Sequence, residues 1–94
     1  MFFIVHCLDH ADALTLRLAT HPAHRAYLAQ AAMRILVAGP LLAEDGVTMV
    51  GSCFLLEAAS RAEVEAFNRA DPFHTAGVWR QVSIHAFDKR TDNR

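Results

Sequence analysis

Six histidines lie in this chain of 94 residues, and imidazole is the side chain whose charge changes most readily near neutral pH. His24 has the setting that best suits proton transfer. It follows Pro22 by two residues, which predicts a position in the first turn of a helix that Pro22 begins. The positive end of a helix dipole disfavours an imidazolium, so we expect a neutral His24 that could act as a general base. An ordinary surface or interface histidine is the alternative interpretation.

Asp71 is the carboxylate best placed to serve such a histidine. The sequence from Ser60 to Glu63 forms a capping box, so it predicts a helix that ends at Asp71. The Asp71-Pro72 pair also predicts the N-cap of a following turn, and this structural role alone would explain the residue. A carboxylate has two oxygens, however, and one of them could fix the tautomer of an imidazole and stabilise its protonated form.

Two glycine-containing pairs, Gly39-Pro40 and Gly51-Ser52, lie on the two arms of one predicted hairpin. Their small side chains would leave a recess, in which the Ser52 hydroxyl could hydrogen-bond a substrate. Backbone geometry alone would also explain both glycines. The aromatic residues that could line an apolar pocket here are Phe73, Trp79 and Tyr27, although aromatic residues in a small domain usually belong to the core or an interface.

A metal site is the competing use of the histidines. The pairs His6/His10 and His21/His24 have plausible ligand spacings, but a strand end or a proline interrupts each pair. No HxH, HxxxE or HExxH pattern occurs. The sequence therefore predicts neither a metal nor another cofactor. Elemental analysis of the purified protein would test a histidine-liganded metal or haem directly.

Hydrophobic patterning places these residues on a βαββαβ framework. The predicted strands are Phe2–Leu8, Ile35–Leu42, Val47–Leu56 and Trp79–Phe87. The predicted helical segments are a brief helix over Ala11–Ala19, a second helix from Pro22 to about Met33, and the capped helix that follows Ser60. This order predicts an α+β, ferredoxin-like fold with a four-stranded antiparallel sheet and the helices on one face. The other face is left bare.

Composition narrows the classes of function. Nine basic residues balance ten acidic ones, which excludes nucleic-acid binding driven by net charge. No apolar run approaches the roughly 18 residues of a membrane span, and the N-terminus lacks the basic start of a signal peptide, so we expect a cytoplasmic protein. Hydrophobic residues make up 53% of the chain, against roughly 45–50% in ordinary domains. We expect one domain over residues 1–94, with a flexible tail over 88–94, and a second copy covering the bare face.

The order and spacing of several short segments resemble the YciI-like family within the dimeric α/β-barrel superfamily. The matching segments are Arg17, His21-Pro22-Ala23-His24, Tyr27-Leu28, Ala38-Gly39-Pro40-Leu41, Gly51-Ser52, Ala70-Asp71-Pro72-Phe73 and Ala76-Gly77-Val78. Three features depart from the family pattern. His21 replaces an arginine, His85-Ala86-Phe87 replaces a Lys-Pro-Phe-like ending, and the connection between the second and third strands is shorter than in some relatives.

The resemblance implies a protomer that dimerises through its open sheet face into an α/β barrel, with His24 and Asp71 paired in an active-site pocket. One branch of this family removes chloride from a chlorinated hydroxyquinol. The wider superfamily includes muconolactone isomerases and monooxygenases that act on ring compounds.

The leading hypothesis is a small homodimeric enzyme without a cofactor. His24 would move a proton on a small cyclic or enolic substrate in an elimination or isomerisation, and Asp71 would orient it. The residues assigned to substrate binding are Arg17, Ser52, Gly39, Pro40 and Phe73. A non-catalytic module that binds a small molecule, or that only completes a dimer, is the second hypothesis.

Overall fold

The computed structural model describes residues 1–94 as four strands and three helices packed in two layers. In chain order the elements are β1 (Phe2–Asp9), α1 (Leu14–Ala29), β2 (Arg34–Leu42), β3 (Met49–Glu57), α2 (Arg61–Ala70), α3 (Pro72–Thr75) and β4 (Trp79–Phe87). The strands form one antiparallel sheet in the order β2-β3-β1-β4. The predicted α+β, ferredoxin-like fold is therefore confirmed. None of the helices is long and apolar enough to span a membrane.

A single helix, α1, stands where the sequence predicts two. The predicted break at Pro22 is wrong, because α1 continues through this residue from Leu14 to Ala29. Proline removes one helical hydrogen bond and crowds the preceding turn. Pro22 lies on the exposed side of α1, whereas Arg17 and His24 are buried on the opposite side. Packing of that buried side on both sides of Pro22 outweighs the local preference for a break.

The continuity of α1 changes the position of His24. It lies in the interior of the helix rather than in its first turn, so the predicted effect of the helix dipole on this histidine is wrong. His24 follows Arg17 by seven positions, which is close to two helical turns. One face of one helix therefore presents both side chains to the sheet.

The predicted helix start at Ser60 and the predicted turn at Asp71 are both confirmed. The Ser60 hydroxyl accepts a hydrogen bond of 3.3 Å from the Glu63 backbone N–H. Asp71 is at once the C-cap of α2 and the N-cap of α3, and its Oδ1 accepts a 2.9 Å bond from the Phe73 backbone N–H. The chain therefore turns sharply from α2 into α3 around one carboxylate.

The two faces of the sheet have different surroundings. The core lies on the helix face, and its most buried side chains are Phe3, Val5, Cys7, Leu56, Val64, Phe73 and Val78. Because side chains alternate along a strand, the strand residues that lie between these core residues form an open face. The register pairs Ile4 with Leu55 on one side and with His85 on the other. His6 and His85 both lie on this open face.

The C-terminal segment 88–94 crosses the open face without forming a helix or strand. Together with Ile4, Val37 and neighbouring residues it encloses a cavity of about 550 Å³. The Lys89 ammonium lies 4.8 Å from the centre of the Phe2 ring. The ion pairs of this segment are internal: Lys89–Asp92, Arg90–Asp88 and Arg94–Asp92. The segment therefore covers an apolar surface without forming an ion pair to the sheet.

The two glycines of the β2–β3 hairpin provide a matched pair of substitutions. A Cβ atom at Gly51 would collide with the backbone oxygen of Cys7 on β1, whereas a Cβ atom at Gly39 would have no neighbour within 4 Å. Close strand approach therefore requires glycine at position 51. We expect Gly51→Ala to lower the free energy of unfolding by about 1–3 kcal/mol and Gly39→Ala to change it by less than about 1 kcal/mol. Urea denaturation of both variants measures this, and equal losses would contradict it.

Candidate active site

A cavity of about 290 Å³ opens between α1, β2, β3 and α3. The predicted site residues that line it are Arg17, His24, Gly39, Pro40, Ser52 and Phe73. Asp71 is the predicted site residue that does not line the cavity, since it lies behind His24 and is 1% exposed. The remaining lining residues are His21, Arg25, Leu28, Ala38, Met49 and Phe54. The fold thus gathers residues that are far apart in sequence around one space.

His24 and Asp71 are in direct contact. The imidazole Nδ1 lies 2.8 Å from Asp71 Oδ1, and the two side chains are only 9% and 1% exposed. Asp71 Oδ1 is an acceptor and already accepts the Phe73 N–H. The imidazole nitrogen that contacts it must therefore be a donor, so Nδ1 carries the hydrogen in this pair. In the neutral ring the Nε2 lone pair is then left for another group. This is the arrangement that a general base requires.

Aromatic packing fixes the plane of the His24 ring. The Phe73 ring stacks on it with centroids 4.0 Å apart and an interplanar angle of 16°. Phe54 and Trp79 contact it edge-on, at 6.2 and 6.5 Å between centroids. The imidazole is thus held at the cavity wall by one carboxylate and three rings.

Arg17 is the second buried polar residue of α1 in the cavity wall. Its Nη1 donates to both oxygens of Asp9, at 3.0 and 3.1 Å, and its Nη2 donates to Ser52 Oγ at 2.8 Å. The Arg17 and Asp9 side chains are 4% and 5% exposed. Burial raises the pKa of the Asp9 carboxyl above its usual value, and the attraction of Arg17 only partly offsets this. The guanidinium carbon also lies 4.6 Å from the centre of the Phe73 ring.

Ser52 is held by two donors. Its Oγ accepts from Arg17 Nη2 and, at 3.3 Å, from Trp79 Nε1. A serine hydroxyl has two lone pairs and one hydrogen, so its hydrogen remains free to be donated. Trp79 does not line the cavity; it supports the Ser52 hydroxyl from behind. Tyr27 does not line it either, and instead donates a 2.7 Å bond to the Phe67 backbone oxygen.

Comparison with known proteins identifies the family of this chain. A family model described as the YCII-related domain matches residues 1–88. The chain belongs to the YCII-related family. It is 35% identical to protein YciI of Escherichia coli O6:H1 over 96 aligned positions, which cover 95% of this chain and 98% of the relative. Protein YciI of Shigella flexneri matches to the same extent.

Solved structures agree with this assignment. The 5-chloro-2-hydroxyhydroquinone dehydrochlorinase TftG of Burkholderia phenoliruptrix AC1100, in complex with 2,5-dihydroxybenzoquinone, is similar with a TM-score of 0.84 and 32% identity, over 94% of each chain. An antibiotic biosynthesis monooxygenase has a TM-score of 0.59 and 14% identity, and covers 96% of this chain and 98% of its own. The second similarity is one of fold alone.

One departure from the YciI-like pattern falls inside the cavity of this family member. His21, which replaces an arginine, lines the cavity, and its ring centroid lies 6.4 Å from that of His24. Arg25, one helical turn further along α1, also lines the cavity. A permanent positive charge is therefore still present beside the substituted position.

Sequence reasoning missed Asp9 and its contact with Arg17. No local pattern links Asp9 to a helical arginine eight residues later. Among the residues described, no group of three or more His, Cys, Asp or Glu side chains is arranged to hold a metal ion. The polar residues of the site are instead arranged as two separate pairs, Arg17–Asp9 and His24–Asp71.

The Asp9–Arg17 pair supplies a test of this arrangement. Asp9→Asn leaves a buried guanidinium without its counter-charge, so we expect the free energy of unfolding to fall by about 3–5 kcal/mol. The double variant Asp9→Asn/Arg17→Gln has no unpaired charge and should lose less than the sum of the two single variants. Urea denaturation of all four proteins measures the coupling. Strictly additive losses would show that the pair is not coupled.

Proposed function

We propose that this chain is a small enzyme that uses His24 as a general base in an elimination or isomerisation of a small cyclic or enolic substrate. The observation that carries the proposal is the buried 2.8 Å contact between His24 Nδ1 and Asp71 Oδ1 at the wall of a cavity. The similarity to a dehydrochlorinase at 32% identity supports the same class of chemistry.

In this mechanism, Nε2 of His24 takes a proton from the substrate, and the freed electron pair moves into the ring system. In an isomerisation the imidazolium returns the proton to a different ring atom. In an elimination a leaving group such as chloride departs with the electron pair of its bond, and the imidazolium releases its proton to water. Asp71 stays ionised and stabilises the imidazolium, so it is a positioning residue. Such proton shifts need a base and no redox group, and the proposal includes no cofactor.

A non-catalytic binding module is the second candidate, and the cap at α3 favours it. Asp71 Oδ1 accepts the Phe73 N–H as well as contacting His24, so the residue would have a structural role without any reaction. The two candidates differ in what Asp71→Asn should do. Asparagine caps helices about as well as aspartate, but it leaves the histidine without the negative charge that stabilises an imidazolium.

Turnover of 5-chloro-2-hydroxyhydroquinone, followed as chloride release, tests the enzyme directly. We expect His24→Gln and Asp71→Asn each to lower kcat by about 10²-fold or more, while urea denaturation shows Asp71→Asn still folded. Tyr27→Phe, which removes a hydroxyl outside the cavity, is the control and should leave kcat unchanged.

Two results would contradict the proposal. Full turnover by His24→Gln would remove the histidine from the chemistry. A wild-type protein that converts neither this substrate nor muconolactone would favour the binding module.

The proposal also includes a homodimer formed through the open sheet face. The apolar side chains of Val37 and Phe87 lie on this face and are 48% and 42% exposed. The active-site cavity and the open-face cavity share Ala38, Gly39 and Pro40 of β2. A second copy on the open face would therefore lie next to the site. Segment 88–94, which has no ion pair to the sheet, would have to move aside.

Sedimentation analysis tests the dimer with two matched substitutions. Val37→Glu places a charge on the open face, and we expect it to weaken dimerisation by at least about tenfold, since burying an unpaired charge is costly. Leu18→Glu is the control, because Leu18 is similarly exposed at 54% but lies on α1. A monomeric wild type, or equal effects of the two variants, would contradict the proposed interface.

A further inference from the structure

We propose that the open sheet face is a binding surface with two alternative occupants: the C-terminal segment 88–94 in the single chain, and a second copy in the proposed homodimer. The segment would then compete with dimerisation. This inference rests on the proposed function, because it concerns the same interface, and it names what controls how tightly two copies associate.

The C-terminal segment reaches across the whole sheet. It follows Phe87 at the end of β4, which is one edge strand of the order β2-β3-β1-β4. Asp92 and Arg94 share a surface cavity of about 310 Å³ with residues 34–36 of β2, the opposite edge strand. Between these edges the segment and the sheet together line the cavity of about 550 Å³. A second copy packed on this face would therefore meet the segment before the strands.

The sheet residues beneath the segment are ones that the proposed dimer would bury. Ile4, Val37, Leu55 and Phe87 line the cavity between the segment and the sheet. Val37 and Phe87 nevertheless remain largely accessible, so the segment covers them only in part. Complete burial by a second copy would remove more apolar surface from water. The segment is thus the weaker of the two occupants, and a second copy would displace it.

Few polar contacts hold the segment on the face. Its ion pairs join its own residues: Lys89–Asp92, Arg90–Asp88 and Arg94–Asp92. These pairs would move with the segment without being broken. The Lys89 ammonium contacts the Phe2 ring of β1, and a cation–π contact at an accessible position is weak. Release of the segment therefore costs little, which makes the competition reversible.

The competition acts on both copies of a dimer. Each copy must expose its sheet face, so the apparent dissociation constant rises with the inverse square of the fraction of chains whose face is open. If the segment covers the face in about two thirds of the chains, dimerisation is weakened by about tenfold. A modest preference of the segment for its own sheet thus has a large effect on assembly.

A chain that ends at Asp88 tests the competition by analytical ultracentrifugation. Residues 1–88 contain every strand and helix and are the part that the family model matches, and circular dichroism checks that the shortened chain is folded. We expect its dimer dissociation constant to be at least about tenfold lower than that of the wild type. Equal constants, or weaker association of the shortened chain, would overturn the inference and leave the proposed dimer in place.

Net charge would act in the opposite direction. Residues 89–94 contain three basic side chains and one acidic side chain, and the whole chain has a formal net charge of -1. Their removal makes each copy more negative, so two shortened copies repel each other more strongly. Tighter association of the shortened chain would therefore report the loss of the covering segment.

A substitution in the full chain gives a second test. Lys89→Gln removes the cation that contacts the Phe2 ring, and we expect it to lower the dimer dissociation constant by about twofold or more. Arg69→Gln is the control, because it removes the same charge at an exposed position on α2, and it should leave the constant unchanged. If the shortened chain fails to fold, this pair decides, and equal constants for the two variants would overturn the inference.

Thiol labelling tests the cover itself, without the dimer. Cys53 is half-buried and lines the cavity beneath the segment. In dilute solution, where single chains predominate, we expect a maleimide to label Cys53 at least about threefold faster in the shortened chain. Cys7 is the internal control: burial raises the pKa of its thiol to about 12, and the thiolate is the reactive form, so it should stay unlabelled in both proteins.

The two measurements separate this inference from the proposed dimer. Equal labelling rates of Cys53 in dilute solution would show that the segment does not cover the face, which overturns the inference whatever the assembly state. If neither the wild type nor the shortened chain forms dimers, the proposed interface is wrong and the competition fails with it.

Discussion

One carboxylate oxygen fixes the turn on which the site depends. Asp71 Oδ1 accepts the backbone N–H of Phe73, which ends α2 and begins α3, and the same oxygen lies 2.8 Å from His24. The turn also brings the Phe73 ring onto the imidazole at 4.0 Å. The tautomer and the ring plane of His24 therefore both follow from a local feature of the backbone, and neither needs a ligand to be established.

A similar arrangement recurs two helical turns earlier on α1. Asp9, the last residue of β1, binds Arg17 from behind as Asp71 binds His24. Both carboxylates are thereby removed from the cavity surface, and the polar groups that remain there are mostly donors and cations. This division leaves Arg17 and His24 in the cavity wall, each held by a carboxylate that lies behind it. It also requires α1 to be continuous, because Arg17 and His24 must share one buried face.

Local sequence signals predicted much of this structure. The capping box at Ser60, the Asp71-Pro72 turn and the strand order are local or periodic patterns, and each appears as expected. Pro22 was mispredicted because helix-breaking rules describe isolated segments, whereas packing of the buried face of α1 overrides them here. Asp9–Arg17 and Trp79–Ser52 were missed because they depend on tertiary placement. Asp9 lies opposite Trp79 in the register of β1 and β4, and the spacing of these residues in the sequence does not predict this.

The tautomer of His24 decides whether the ring can act as a general base toward the cavity. Long-range ¹H–¹⁵N correlation spectroscopy distinguishes the two ring nitrogens by their chemical shifts. In the neutral ring we expect a protonated Nδ1 and a bare Nε2, and Asp71→Asn should perturb this state. A neutral ring protonated at Nε2 would contradict the proposed general base, because the Nδ1 lone pair would then point at a carboxylate and no base would face the cavity.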